Sequence, residues 1–277
     1  MREKPEDLYL NLLKNTLSFN LWPEPPVPVE SQNYLRAPWK RTIISFLARI
    51  LKLKNLGLVQ YVSPTEEERA EGKVWPGYAD TMIGLKRLDN LLQCCRDVVE
   101  KKIQGDFIET GVWRGGSCIL MRAVLAAYRD TGRKVFVADS FAGLPPPDED
   151  NYEADAGDVH HQMDFLAVSE EQVRRNFERY GLLDEQVVFL KGWFKDTLPT
   201  APIDDLAILR LDGDMYESTM TALDALYDKL SPGGYCIVDD YGLRGCKQAI
   251  DDFRKTHSIP DQLISVDWTG VYWQKNS

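Results

Sequence analysis

DFIETGVWRGGS, residues 106–117, sets a short apolar run directly before a glycine-rich turn and a helical pattern that continues to residue 128. Such a strand–turn–helix lets backbone approach a ligand closely and points helix N–H groups at it, the arrangement of a nucleotide-type cradle. Its candidate ligand-binding residues are Glu109, Thr110, Gly111, Val112, Trp113, Gly115 and Ser117. After Glu109 the chain runs Thr110, Gly111, Val112, Trp113, Arg114, Gly115, so GxGxxG is not in register and a dinucleotide site is disfavoured. Outward from this junction the same rhythm repeats. Strands are expected at 134–139, 187–192, 206–214 and 233–240, with helices at 169–180, 218–229 and 245–256. Apolar strands alternating with amphipathic helices imply an α/β fold with a mostly parallel sheet covered on both faces. The tail, QLISVDWTGVYWQK, alternates in period two around Thr269-Gly270 and reads as a closing antiparallel pair.

Acids stand at the strand ends. Asp139 closes the second strand, followed by Ser140, where a carboxylate accepts the ribose hydroxyls of an adenosine. LRLDGDMYEST (209–219) and IVDDY (237–241) bring Asp212, Asp214, Asp239 and Asp240 to the carboxyl ends of two adjacent strands. Like charges so close need a cation or a proton, and carboxylate oxygens without His or Cys suit Mg²⁺ rather than zinc. The plainer alternative is that Asp239-Asp240 caps a helix while Asp212 and Asp214 face solvent in a turn. The long polar loop 141–166 carries His160 and His161, candidates for donating to a substrate or taking its proton, against an equal reading as exposed unligated imidazoles. In GWFKDTLP (192–199), Gly192 ends the third strand, and Trp193 and Phe194 offer aromatic walls for an adenine or ordinary core packing.

The 277-residue chain has a net charge of −10, which argues against nucleic acid, because polyanion binding needs unmatched Lys and Arg. A small-molecule partner fits better. Five scattered cysteines without a CxxC pair suggest neither disulfides nor a thiolate zinc site, and a reducing cytoplasm is expected. MREKPEDLYLNLL has acids where a signal peptide needs an apolar core, and no run reaches the ~20 apolar residues of a membrane span. Residues 1–80 read as a helical arm and oligomerisation extension, with helices at 7–17 and 39–54 and a Pro-rich connection at 22–39. The amphipathic segment 42–58 is expected to pack on its own domain or subunit rather than on a membrane. Residues 81–277 read as a second, α/β domain, and helical spacing is seen over 80–101.

ETGVWRGGS, VFVADSFAGLP, LRLDGDMYEST and SPGGYCIVDDY, in this order, resemble the macrocin O-methyltransferase family of bacterial antibiotic-sugar methylating enzymes, as do LYLNLLKNTL and DTMIGLKRLDNL. The resemblance implies a Rossmann-like class I methyltransferase fold with a seven-stranded sheet and an N-terminal helical extension. It implies transfer of a methyl group from S-adenosyl-L-methionine, with Mg²⁺, to a sugar hydroxyl of a glycosylated small molecule of macrolide or aminocoumarin type. It further implies a homodimer or homotetramer. Carried onto this chain, it makes Asp212, Asp239 and Asp240 metal ligands and Asp214 the proton acceptor. It assigns Thr81, Met82, the 109–113 turn, Asp139, Ser140, Ser169 and Trp193 to the cofactor. A metal-dependent catechol-type O-methyltransferase is an alternative using the same acids, and a nucleotide-dependent dehydrogenase is a more distant one.

Overall fold

The computed structural model describes residues 4–28, 38–61, 63–75 and 77–276. Of the Pro-rich section 22–39, residues 29–37 lie outside the described residues. The N-terminal region contains α1 (Pro5–Leu17), β1 (Val27–Pro28), α2 (Pro38–Lys52), β2 (Val59–Gln60) and α3 (Glu66–Ala70). β1 and β2 pair antiparallel, and Thr65 with Glu68 forms a capping box at the start of α3. α1 buries Leu10, Leu13 and Leu17 in the same core as the main sheet. In α2, Ala48 is buried while Phe46, Leu47 and Ile50 are exposed. Packing of its described part on its own domain is thus confined to a small face.

The main unit runs α4 (Leu85–Glu100), β3 (Asp106–Thr110), α5 (Gly116–Ala127), β4 (Val135–Asp139), α6 (Glu170–Arg179), β5 (Val187–Lys191) and α7 (Phe194–Thr197). It continues through β6 (Leu206–Leu211), α8 (Tyr216–Leu226), β7 (Leu230–Val238), α9 (Arg244–Thr256), β8 (Ile264–Ser265) and β9 (Val271–Gln274). The seven-stranded sheet has the order β5-β4-β3-β6-β7-β9-β8. The first five strands in this order are parallel, and β9 pairs antiparallel with both β7 and β8. Because successive strand side chains point to opposite faces, Phe107, Val135 and Val137 pack under α1, α4 and α5, whereas Ile108, Phe136 and Leu209 pack under α8 and α9. The five cysteines are buried and unpaired, and none of the described helices is long and apolar enough to cross a membrane.

Two helix starts differ from the sequence spacing for physical reasons. α4 begins at Leu85, after Gly84, because the preceding residues are tied elsewhere: Asp80 donates its N–H to Leu17 (2.8 Å) and accepts from Gly116 N–H (2.9 Å). α8 begins at Tyr216, because Asp155 in the long loop accepts from the N–H groups of Tyr216 (2.6 Å) and Glu217 (3.1 Å), capping the helix from a distance. Chain order reverses around β3, with β4 on one side and β6 on the other. The crevice at their carboxyl ends is therefore where a ligand is expected in an open α/β sheet.

Candidate active site

Two cavities meet at that edge. The larger, about 400 Å³, is bordered by Gly111, Trp113, Asp139, Ser140, Gly192 and Trp193 and roofed by Leu144, Pro145 and Pro146 of the long loop. Gly111 has φ +88°, and a Cβ there would lie 1.7 Å from the Asp212 carbonyl oxygen, so only glycine lets these two strand ends approach. Asp139 accepts from Val112 N–H (2.8 Å) and Phe141 N–H (2.7 Å), which fixes the carboxylate, while burial raises its pKa. Ser140 donates to the Gly143 carbonyl (2.7 Å), and Gly192 N–H to that of Asp139 (2.9 Å). Trp193 stands at the start of α7 with its ring half exposed toward the cavity.

The smaller cavity, about 150 Å³, is floored by Asp212, Asp214, Asp239 and Asp240 and also touches Thr81, Glu109, Val112, Ser117 and His160. One oxygen each of Asp212, Asp239 and Asp240 lies within 4.8 Å of the others. Beneath them Arg210, 1% exposed, donates to Glu109, to Asp212 (2.7 Å) and to Asp239. Arg87 donates to the second oxygen of Asp239 and to Asp267 (2.8 Å). These guanidinium forks orient Asp239 from two sides. Two cations nevertheless face five site acids, counting Glu109. Burial and then Asp239 raise the pKa of Asp212, while burial followed by Asp214 and Asp212 pushes Asp240 well up. Asp214 is pushed up to about 7, by burial first and Asp212 second. Burial likewise brings Glu109 to about 7 against the pull of Arg210, and Cys118 donates to its carboxylate (2.8 Å). Asp214 adopts φ +61°, a strained conformation held in part by its N–H bond to Asp240 (3.1 Å).

The residues singled out in the sequence therefore divide. Gly111, Asp139, Ser140, Gly192 and Trp193 border the larger cavity. Thr81, Glu109, Val112, Ser117, Asp239, Asp240 and His160 border the smaller, and Met82, Trp113, Asp212 and Asp214 border both. Thr110, Gly115 and Ser169 border neither: Thr110 is buried in β3, Gly115 turns the chain into α5 at φ +85°, and Ser169 caps α6 by accepting from Gln172 N–H (3.3 Å). His160 and His161 separate, since His160 bonds Asp158 through Nδ1 (2.7 Å) beside the acids, whereas His161 contacts Gln162 and borders neither cavity. Sequence reading missed Arg210, Arg87 and Asp267. An arginine inside the apolar run LAILRL was the available signal, because a charge in a covered strand requires carboxylate partners.

The sequence model of the macrocin-O-methyltransferase family, TylF, matches residues 6–275. The chain belongs to this family. The enzyme is 58% identical over 215 residues to the demethyldecarbamoylnovobiocin O-methyltransferase of Streptomyces niveus, covering 76% of this chain and 81% of that one. It is 46% identical over 275 residues to the 8-demethyl-8-(2,3-dimethoxy-alpha-L-rhamnosyl)-tetracenomycin-C 4'-O-methyltransferase of Streptomyces olivaceus, covering 99% of this chain and 95% of that one. The solved structure of the O-methyltransferase NovP matches with a TM-score of 0.83 and 48% identity over 98% of this chain and 100% of that one. The sheet is that of a Rossmann-like class I methyltransferase, and the dehydrogenase alternative falls with this membership.

Proposed function

We propose that this O-methyltransferase transfers the methyl group of S-adenosyl-L-methionine to a sugar hydroxyl of a glycosylated natural product, using Mg²⁺ held by Asp212, Asp239 and Asp240. The observation that carries this reading is the acid cluster itself, which adjoins the larger cavity and shares Asp212 and Asp214 with it. The donor set fits the ion: three convergent carboxylates with no nitrogen or sulfur ligand among them suit a hard divalent cation. The negative charge that Arg210 and Arg87 leave unbalanced favours one as well. The two relatives are named for a demethylated novobiocin and a rhamnosyl tetracenomycin C, which directs the acceptor class toward glycosylated antibiotics.

In this reading the larger cavity takes the donor. Asp139 would accept from the ribose hydroxyls, Trp193 would offer an aromatic wall to the adenine, and the loop around Pro145 and Pro146 would exclude water. Mg²⁺, when bound, supplies Lewis acidity that makes a sugar hydroxyl a better nucleophile. Asp214, at the junction of the two cavities, would take the hydroxyl proton as the oxygen bonds to the methyl carbon and the C–S electron pair returns to sulfur. Holding two reactants at near-attack distance can supply ~7 kcal/mol or more of a barrier reduction.

The test is incubation with methyl-labelled S-adenosylmethionine, with and without EDTA, against demethyldecarbamoylnovobiocin, other glycosylated antibiotics lacking a sugar methyl, and simple catechols. Label should enter a glycosylated acceptor and vanish with EDTA. Transfer to catechols alone would establish the alternative, and transfer undiminished by EDTA would remove the metal.

A further inference from the structure

The smaller cavity has two chemical faces. Its floor is acid, whereas its wall carries Trp75 and Trp268, which are 57% and 53% exposed. Neither indole is part of the core, and both belong to the same cavity as Asp239 and Asp240 although they lie almost two hundred residues apart in the chain. Trp268 is fixed rather than free. Its indole N–H donates to the Glu71 carbonyl (2.8 Å), and its turn is closed by Asp267, which accepts from the N–H groups of Thr269 (3.0 Å) and Gly270 (2.7 Å). The turn is bound to the acid floor at two points. Arg87 bridges Asp267 and Asp239, and the Thr269 hydroxyl donates to the Asp239 carbonyl (3.1 Å). Trp75 is held from the other side, its ring 5.4 Å from that of Phe165 in the long loop.

We propose that Trp268 and Trp75 form the sugar-binding wall of the acceptor site, with one pyranose ring laid C–H face against indole and hydroxyls toward Asp212, Asp239 and Asp240. This rests on the sugar O-methylation reading above. A pyranose is amphipathic, with polar edges and apolar ring faces, and a deoxy position enlarges the apolar part. A floor of carboxylates under indole walls complements both. The volume, about 150 Å³, is below the ~300–1,000 Å³ of sites that enclose a drug-sized ligand. The cavity therefore takes a single ring and leaves the aglycone outside, so that recognition centres on the sugar.

The probe is phenyl α-L-rhamnopyranoside, titrated calorimetrically into the full chain loaded with Mg²⁺ and S-adenosylhomocysteine. Trp268→Ala and Trp75→Ala should each weaken binding at least tenfold, and Trp268→Phe should restore Trp268→Ala to within threefold of wild type. Affinity for S-adenosylhomocysteine should stay unchanged in all three, which a general loss of structure would not allow. With a glycosylated acceptor whose sugar hydroxyl is still free, the alanine variants should raise KM more than they lower kcat. Rhamnoside affinity within twofold of wild type in both alanine variants would overturn the wall, as would failure of the wild-type protein to bind the rhamnoside. If binding follows the expected pattern but no glycoside is methylated, the wall stands and the assigned reaction fails.

Discussion

Replacing Arg210 by Met tests the arrangement beneath the acid floor. Arg210 is fully covered and donates to Glu109, Asp212 and Asp239, while Met keeps much of its stem volume and removes every donor. Breaking a buried ion pair by deleting one partner costs about 3–5 kcal/mol, because the remaining charge is left uncompensated. Thermal midpoints of domains in this size range move roughly 2–4 °C per kcal/mol, so the expected drop is on the order of 10 °C. The loss should depend on pH with a definite sign. Without the guanidinium, Glu109, already near 7 through burial, rises further above its unfolded value. The native state then holds a proton that the unfolded chain releases, and stability falls as pH rises from the unfolded carboxylate pKa of about 4 through the folded one. The deficit of Arg210→Met relative to wild type should accordingly be larger at pH 8 than at pH 5. Calorimetric unfolding in EDTA at both values measures it, with Arg210→Lys expected between the two because it keeps the charge without the fork. A deficit under about 1 kcal/mol at pH 8, or one larger at pH 5, would refute the role given to this network.

Asp212→Asn and Asp240→Asn should each weaken Mg²⁺ binding and turnover by on the order of 100-fold or more, with S-adenosylhomocysteine affinity changed less than twofold by calorimetry. Asp239→Asn should in addition lower the thermal midpoint, because both Arg87 and Arg210 are anchored on that carboxylate. Wild-type protein in EDTA should lose stability as pH rises from 5 to 8, since Asp212, Asp214 and Asp240 are raised by burial and mutual repulsion. Saturating Mg²⁺ should reverse that slope in the same melts, because the ion binds the deprotonated carboxylates. Gly111→Ala should cost donor binding and several degrees of thermal midpoint at once, as the added methyl meets the Asp212 backbone at a left-handed position.

The strands and their acidic ends were legible because periodicity fixes which residues reach one sheet edge. DFIET, VFVAD, LAILRL and IVDD all terminate there, and Asp139, Asp212, Asp239 and Asp240 follow from that alone. What could not be read was which cavity each residue borders. Glu109 and Asp139 end neighbouring strands, yet Glu109 turns down onto Arg210 and Cys118 while Asp139 faces the larger cavity. Contacts between distant segments carry no local pattern either. The α8 cap supplied by Asp155, the Arg87 bridge between Asp239 and Asp267, and the placing of Trp75 and Trp268 on one cavity all depend on chain closure. The pair His160-His161 illustrates the limit of adjacency, because the short turn through Gln162 sends the two rings to different surroundings.

The most direct measurement is the rate of labelled methyl transfer to a glycosylated acceptor by EDTA-stripped enzyme as Mg²⁺ is restored, wild type beside Asp240→Asn. Wild-type activity should start near zero and rise to saturation, with the variant flat over the same range although it still binds S-adenosylhomocysteine. Full activity of the stripped wild type, or equal Mg²⁺ rescue of both proteins, would contradict a divalent cation held by Asp212, Asp239 and Asp240.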